Sequence, residues 1–122
     1  MTRNCRRHFL TAVLTVVAGG SVVAHLSPTK SVPDPDAVLT RSPDYVQVWF
    51  TQDPDPAISR LTLEGPAGDV VIGETTVTGG RSLRAAVPVR LAPGTYTLKW
   101  RTAGDDGHVQ RGDISFRMRD PR

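Results

Sequence analysis

The chain has 122 residues, 39% of them apolar and 22% charged, with a formal net charge of +3 at neutral pH. That excess is local: Arg3, Arg6 and Arg7 precede an uncharged stretch, and beyond it 12 Lys and Arg face 12 Asp and Glu. A nucleic-acid surface needs a clustered excess of cations, so the balance excludes nucleic-acid binding.

The chain opens as an export signal. Arg3, Arg6 and Arg7 give a positive start, Phe9 to Val23 is mostly apolar, and Val22 and Ala24 are the small residues that signal peptidase reads, with the cut before His25. Arg6, Arg7, Phe9 and Leu10 also spell RRxFL, which resembles the twin-arginine signal of proteins exported already folded. A retained anchor is the competing reading, but Gly19, Gly20 and Ser21 interrupt the run, which falls short of the ~20 residues a spanning helix needs. The expected division is therefore a signal peptide, residues 1–24, and one mature domain, residues 25–122. Cys5, the only cysteine, leaves with the signal, so the domain has no disulfide and depends on its core.

Within the domain the signals are those of strands. His25 to Asp36, with Pro28, Pro33 and Pro35, reads as an extended edge segment, because proline cannot donate to a ladder. Tyr45 to Phe50 alternates with a period of two, as expected of a strand with unlike faces. Leu61 and Leu63 alternate likewise, Gly65, Pro66 and Gly68 read as a turn, and Val70 to Ile72 as the return strand. Gly79 and Gly80 mark a second turn before a strand over Leu83 to Val89. Tyr96, Leu98 and Trp100 share one face of the next strand, and Ile114, Phe116 and Met118 one face of the last. The pattern predicts an all-β fold, a Greek-key barrel or sandwich of about seven strands. Leu91, Pro93, Gly94 and Tyr96 fit either a corner between sheets, pinned by the phenol hydroxyl, or a hairpin with an ordinary buried tyrosine.

The mature chain keeps two histidines. His25 would become the new N-terminus, where its amine and imidazole together can chelate a metal, as a histidine inside a chain cannot through its amide. His108 lies in the turn-like segment Gly104 to His108, and in an extended stretch Asp106, two residues earlier, would face the same way. Two imidazoles, one amine and one carboxylate suit Cu(II), which stands highest in the divalent affinity order and favours a tetragonal nitrogen and oxygen set. Cu(I) would call for sulfur, and Met118 sits on an apolar strand face. Taken singly, His108 beside an aspartate is also ordinary loop chemistry, and it is the combination with a processed His25 that points to a site.

These residues also resemble a known family. Trp100, Arg101, Asp106, Gly107, His108, Gly112 and Phe116 are similar to the WRxxSxDGHxxxGxxxF signature of CopC copper-resistance proteins, and His25, Ser31, Pro33 and Leu39 to the HxxxxxSxPxxxxxL start of their mature domains. Val48, Phe50 and the Leu91-Pro93-Gly94-Tyr96 segment fall where that family has its FSE strand and LxPGxY turn. The resemblance covers nearly all of the mature chain. It implies a cupredoxin-like or immunoglobulin-like Greek-key fold and an exported, periplasmic or cell-envelope protein. It also implies one Cu(II) held by the amine and imidazole of His25, the Asp106 carboxylate and the His108 imidazole. The methionines of the family's Cu(I) site are missing, which implies the Cu(II)-only form. Two departures stand out: Gly104 replaces a serine, and Gln52 a glutamate, both at positions that would orient ligands.

The expected function is copper binding for resistance, trafficking or uptake, without enzymatic activity, by a monomer that exchanges copper with an inner-membrane transport protein. Two alternatives belong to other classes. A histidine-brace copper oxidase or monooxygenase would use the same N-terminal histidine but keep a position open for oxygen, and would consume ascorbate. A metal-free immunoglobulin-like interaction domain would give no d-d absorption band on titration with Cu(II).

Overall fold

A computed structural model describes residues 25–121 and, apart from these, only Thr15. The expected signal peptide, with Cys5 and the cut after Ala24, otherwise falls outside the described residues. Nine strands run in chain order: β1 (Pro28–Val32), β2 (Val38–Leu39), β3 (Tyr45–Phe50), β4 (Arg60–Gly65), β5 (Gly68–Val70), β6 (Thr76–Thr78), β7 (Ser82–Ala86), β8 (Gly94–Ala103) and β9 (Val109–Met118). They form two sheets, a four-stranded one in the order β1-β3-β7-β6 and a five-stranded one in the order β2-β9-β8-β4-β5. The pairs β3–β7 and β4–β8 join strands distant in sequence, so the chain crosses repeatedly between layers in the Greek-key manner. No helix among the described residues is long and apolar enough to cross a membrane.

The layers meet through the residues that alternation assigned to the interior. Val46, Val48, Phe50, Leu83 and Ala85 come from one sheet, and Leu61, Leu63, Tyr96, Leu98, Trp100, Ile114, Phe116 and Met118 from the other; together they make one buried cluster. Fully burying a side chain such as Leu63 or Phe116 contributes roughly 1.5–3 kcal/mol, and without disulfides this core carries the stability. Trp100 meets Phe50 edge to face at 5.2 Å, and Tyr96 stacks on Phe116 at 5.5 Å.

Nine strands rather than about seven is a correction, and its reason is strand length. β2 is two residues that run parallel to the end of β9, and β6 is three residues paired with β7; neither is long enough to show a period. Two boundaries also move. The return strand is Gly68–Val70, because Gly65 pairs with Gly68 across a two-residue turn; Val71, 76% exposed, and Ile72 lie beyond it. The Gly73 amide then bonds Ala86 across to the other sheet. β7 stops at Ala86, since the Val87 amide turns to the Asp44 carbonyl and Pro88 has no donor. The tyrosine question resolves as a corner: Tyr96 Oη donates to the Ala92 carbonyl at 2.6 Å, where the chain passes from β7 in one sheet to β8 in the other.

Candidate metal centre

The long antiparallel pair β8 and β9 sets one half of the site. Their register runs without interruption from Gly94↔Met118 to Ala103↔Val109, so the loop 104–108 is fixed at one pole of the sandwich. The Gly107 amide bonds the Gly104 carbonyl at 3.1 Å, and Gly107 turns through φ +72, the left-handed region that glycine enters without a Cβ penalty. Asp106 Oδ1 accepts the His108 amide at 3.0 Å, an Asx turn. Asp106 and His108 therefore do face together, but through this turn and not through strand alternation.

The other half arrives with the start of the domain. Leu26 is 3% exposed and belongs to the core, which anchors the residue before it. The Ser27 amide bonds Thr51 Oγ1 at 3.1 Å and its carbonyl accepts the Thr51 amide at 2.9 Å, locking the entry to β1 beside the end of β3. His25 is thereby held over the 104–108 loop. Its Nδ1 lies 3.6 Å from Asp106 Oδ2, and His108 Nδ1 lies 3.2 Å from the same oxygen. The rings are 6.2 Å apart and inclined at 43°. One potential ligand atom from each of the three residues falls within 4.8 Å of the others.

The nitrogen that His25 turns to Asp106 is the chemically useful one. Nδ1 is the ring nitrogen nearest the residue's own backbone nitrogen, so a metal bridging the two would close a six-membered ring. His25 and His108 are exposed and the Asp106 side chain is 25% exposed, so an ion has open access. The hydrogen bond from the His108 amide is the main cause that holds the Asp106 carboxyl below the ordinary aspartate range; desolvation opposes it, and positive charge on His108 or His25 adds smaller contributions in the lowering direction. The carboxylate is thus kept ionised, the form a metal ligand requires.

Two neighbours extend the sequence reading. Gln110 Nε2 approaches His25 Nδ1 at 3.5 Å. In the sequence its one signal is its place two residues after His108. Gln52 and Gly104, two separate departures in the sequence, form one unit: Gln52 Oε1 accepts the Asp105 amide at 3.3 Å, and a Cβ on Gly104 would run into that same oxygen. Glycine at 104 thus leaves room for Gln52 to reach the loop, and a serine there would push aside the amide end of that flexible side chain.

Comparison with known proteins bears on the family and the fold. A family model described as the CopC domain matches residues 28–119, a span that holds Asp106 and His108 and begins three residues after His25. The chain is 30% identical over 124 residues to "Copper resistance protein C" of Xanthomonas campestris pv. juglandis, covering 93% of this chain and 97% of that protein. It is 25% identical over 121 residues to "Protein YobA" of Escherichia coli strain K12, with 97% and 98% covered. The crystal structure of CopC from Methylosinus trichosporium OB3b superposes with a TM-score of 0.70 at 29% identity, covering 80% of this chain and 96% of that one. PcoC, a methionine rich copper resistance protein from Escherichia coli, gives a TM-score of 0.70 at 23% identity over 79% and 100%, a likeness of fold alone. With a domain match over most of its length and a relative at 30% identity along nearly all of it, the chain belongs to the CopC family.

Proposed function

We propose that the protein is exported, cut before His25, and then captures one Cu(II) through the His25 amine and imidazole, the Asp106 carboxylate and the His108 imidazole. The observation that carries this reading is the convergence of those three side chains within 4.8 Å, drawn from the two ends of the domain. The Xanthomonas relative, named a copper resistance protein, supports copper as the cargo. The donor set supports the oxidised ion: it is nitrogen and oxygen only, while Met118 is buried at the opposite end of β9. Zn(II) fits the same donors, and the Irving–Williams order favours copper where both are present.

Processing acts as the switch. Before the cut, the nitrogen of His25 is an amide and supplies no amine ligand, so the precursor holds an incomplete site. Binding requires neutral amine and imidazoles, so uptake releases protons and weakens in acid. The reading is of a carrier and not an enzyme, because Asp106 stands beside both rings, in the place that an oxygen-activating site keeps open. The protein would act as a monomer in the periplasm or cell envelope and exchange its copper with an inner-membrane transport protein. The test is an EPR spectrum of the processed chain with one equivalent of Cu(II). The reading expects a single tetragonal species with hyperfine coupling to three nitrogens, and a spectrum unchanged by Asp106→Asn together with His108→Ala would overturn it.

A further inference from the structure

At the pole opposite the candidate metal centre, a groove of about 530 Å³ lies between the β2–β3 connection, the β7–β8 connection and the residues after β9. The ten residues of β9 set the two poles about 30 Å apart. The floor of the groove is apolar, with Leu91 and Met118 both buried core residues. Its rim carries Arg41, Arg90 and Arg119, one from each converging segment. None of the three makes an ion pair among the described residues, and Asp120 is the one carboxylate in the lining. An adjoining groove shares Met118, Arg119 and Asp120 and adds Arg117, so the pole is cationic in a domain whose charges balance as a whole.

Hydrogen bonds tie together the segments that carry the arginines. The Arg119 amide bonds the Leu39 carbonyl at 2.8 Å, and the Leu91 amide, next to Arg90, bonds Ser42 Oγ, next to Arg41, at 3.0 Å. Clustering three like charges raises the free energy of the empty pole, and an anion with several oxygens would relieve it. Planar guanidinium forks match a tetrahedral phosphate in paired hydrogen bonds, and the apolar floor beside them accommodates carbon attached to such a group.

We infer that this pole is a phosphate-binding site, filled either by free phosphate or by the phosphate of an anionic lipid headgroup. The second source would seat the protein on a membrane with His25 and the 104–108 loop turned about 30 Å away, open to a partner or to solution. The inference does not rest on copper, and its test uses the copper-free processed chain 25–122, which carries every strand of the sandwich. Titration with sodium phosphate, against sodium chloride at equal ionic strength, is followed by the amide resonances of Ser42, Leu91 and Arg119. Co-sedimentation is measured in parallel with phosphatidylglycerol and with phosphatidylcholine vesicles. Saturable shifts at this pole support the site with free phosphate as a ligand, and sedimentation with phosphatidylglycerol alone supports the lipid source. In either arm Arg41→Gln/Arg90→Gln/Arg119→Gln should weaken binding at least about tenfold, the loss expected from even one charge-assisted hydrogen bond. Arg60→Gln/Arg101→Gln/Arg111→Gln, on the exposed face of the five-stranded sheet, should not. No charge-dependent binding in either arm, or equal loss in the two triple variants, would overturn the inference.

Discussion

Gly104→Ser tests how the 104–108 loop is held. Gly104 has no positive φ, so serine brings no backbone strain; the cost is steric, because its Cβ would meet Gln52 Oε1 and press within 3.3 Å of Leu26 Cβ. Gln52 must then release the Asp105 amide. That bond is long, at 3.3 Å, neutral and exposed, which places it in the lower half of the usual range, about 0.5–1 kcal/mol. If the loss falls on the metal-competent loop, Cu(II) affinity should drop about two- to fivefold. Gln52→Ala removes the same bond along with everything else the Gln52 side chain touches, and should cost at least as much. The double variant should cost less than the sum of the two single ones, because alanine at 52 clears the main obstacle that the serine meets. A competition titration with a chromophoric Cu(II) chelator measures all three. Additive losses would refute the coupling and show that Gln52 and Gly104 act separately.

Three further outcomes follow from the same geometry. Tyr96→Phe keeps the stacking on Phe116 but removes the bond to the Ala92 carbonyl, and should lower stability by about 1 kcal/mol in urea unfolding. Leu26→Ala empties a core position next to His25; it should cost about 2–5 kcal/mol of stability and loosen His25 enough to weaken Cu(II) binding as well. For copper-free protein, the lowered Asp106 value means that its carboxylate stabilises the fold above the ordinary aspartate range, and that this contribution is lost as pH falls through the lowered value. Asp106→Asn should flatten stability against pH in that acid window, as read from urea midpoints across the pH range.

The parts of the fold visible in the sequence are those where one face is buried. Tyr45 to Phe50, Leu61 with Leu63, and the alternating runs of β8 and β9 carry their period because every second side chain enters the same core. β2 was invisible because Val38 and Leu39 are too few to alternate, and their place depends on the backbone of β9. Val71 and Ile72 misled for the opposite reason: they are apolar, but the tight turn at Gly65–Gly68 fixes the pairing before them. At the site, His25, Asp106 and His108 stood out by residue type and by position relative to the expected cut. The Gln52–Gly104 contact joins residues far apart in the chain, and only the fold reveals that the two departures are one change. The arginine-rimmed groove is of the same kind, since Arg41, Arg90 and Arg119 lie in three separate segments.

The central claim is that a free N-terminus at His25 completes the copper site. Two copper-free forms of the domain, one beginning at His25 and the other carrying Ala24 before it, can be compared in one Cu(II) competition titration. The account predicts that the His25 form binds one equivalent tightly and that the extended form loses most of that affinity, although Asp106 and His108 are unchanged. Equal affinity in the two forms would contradict it.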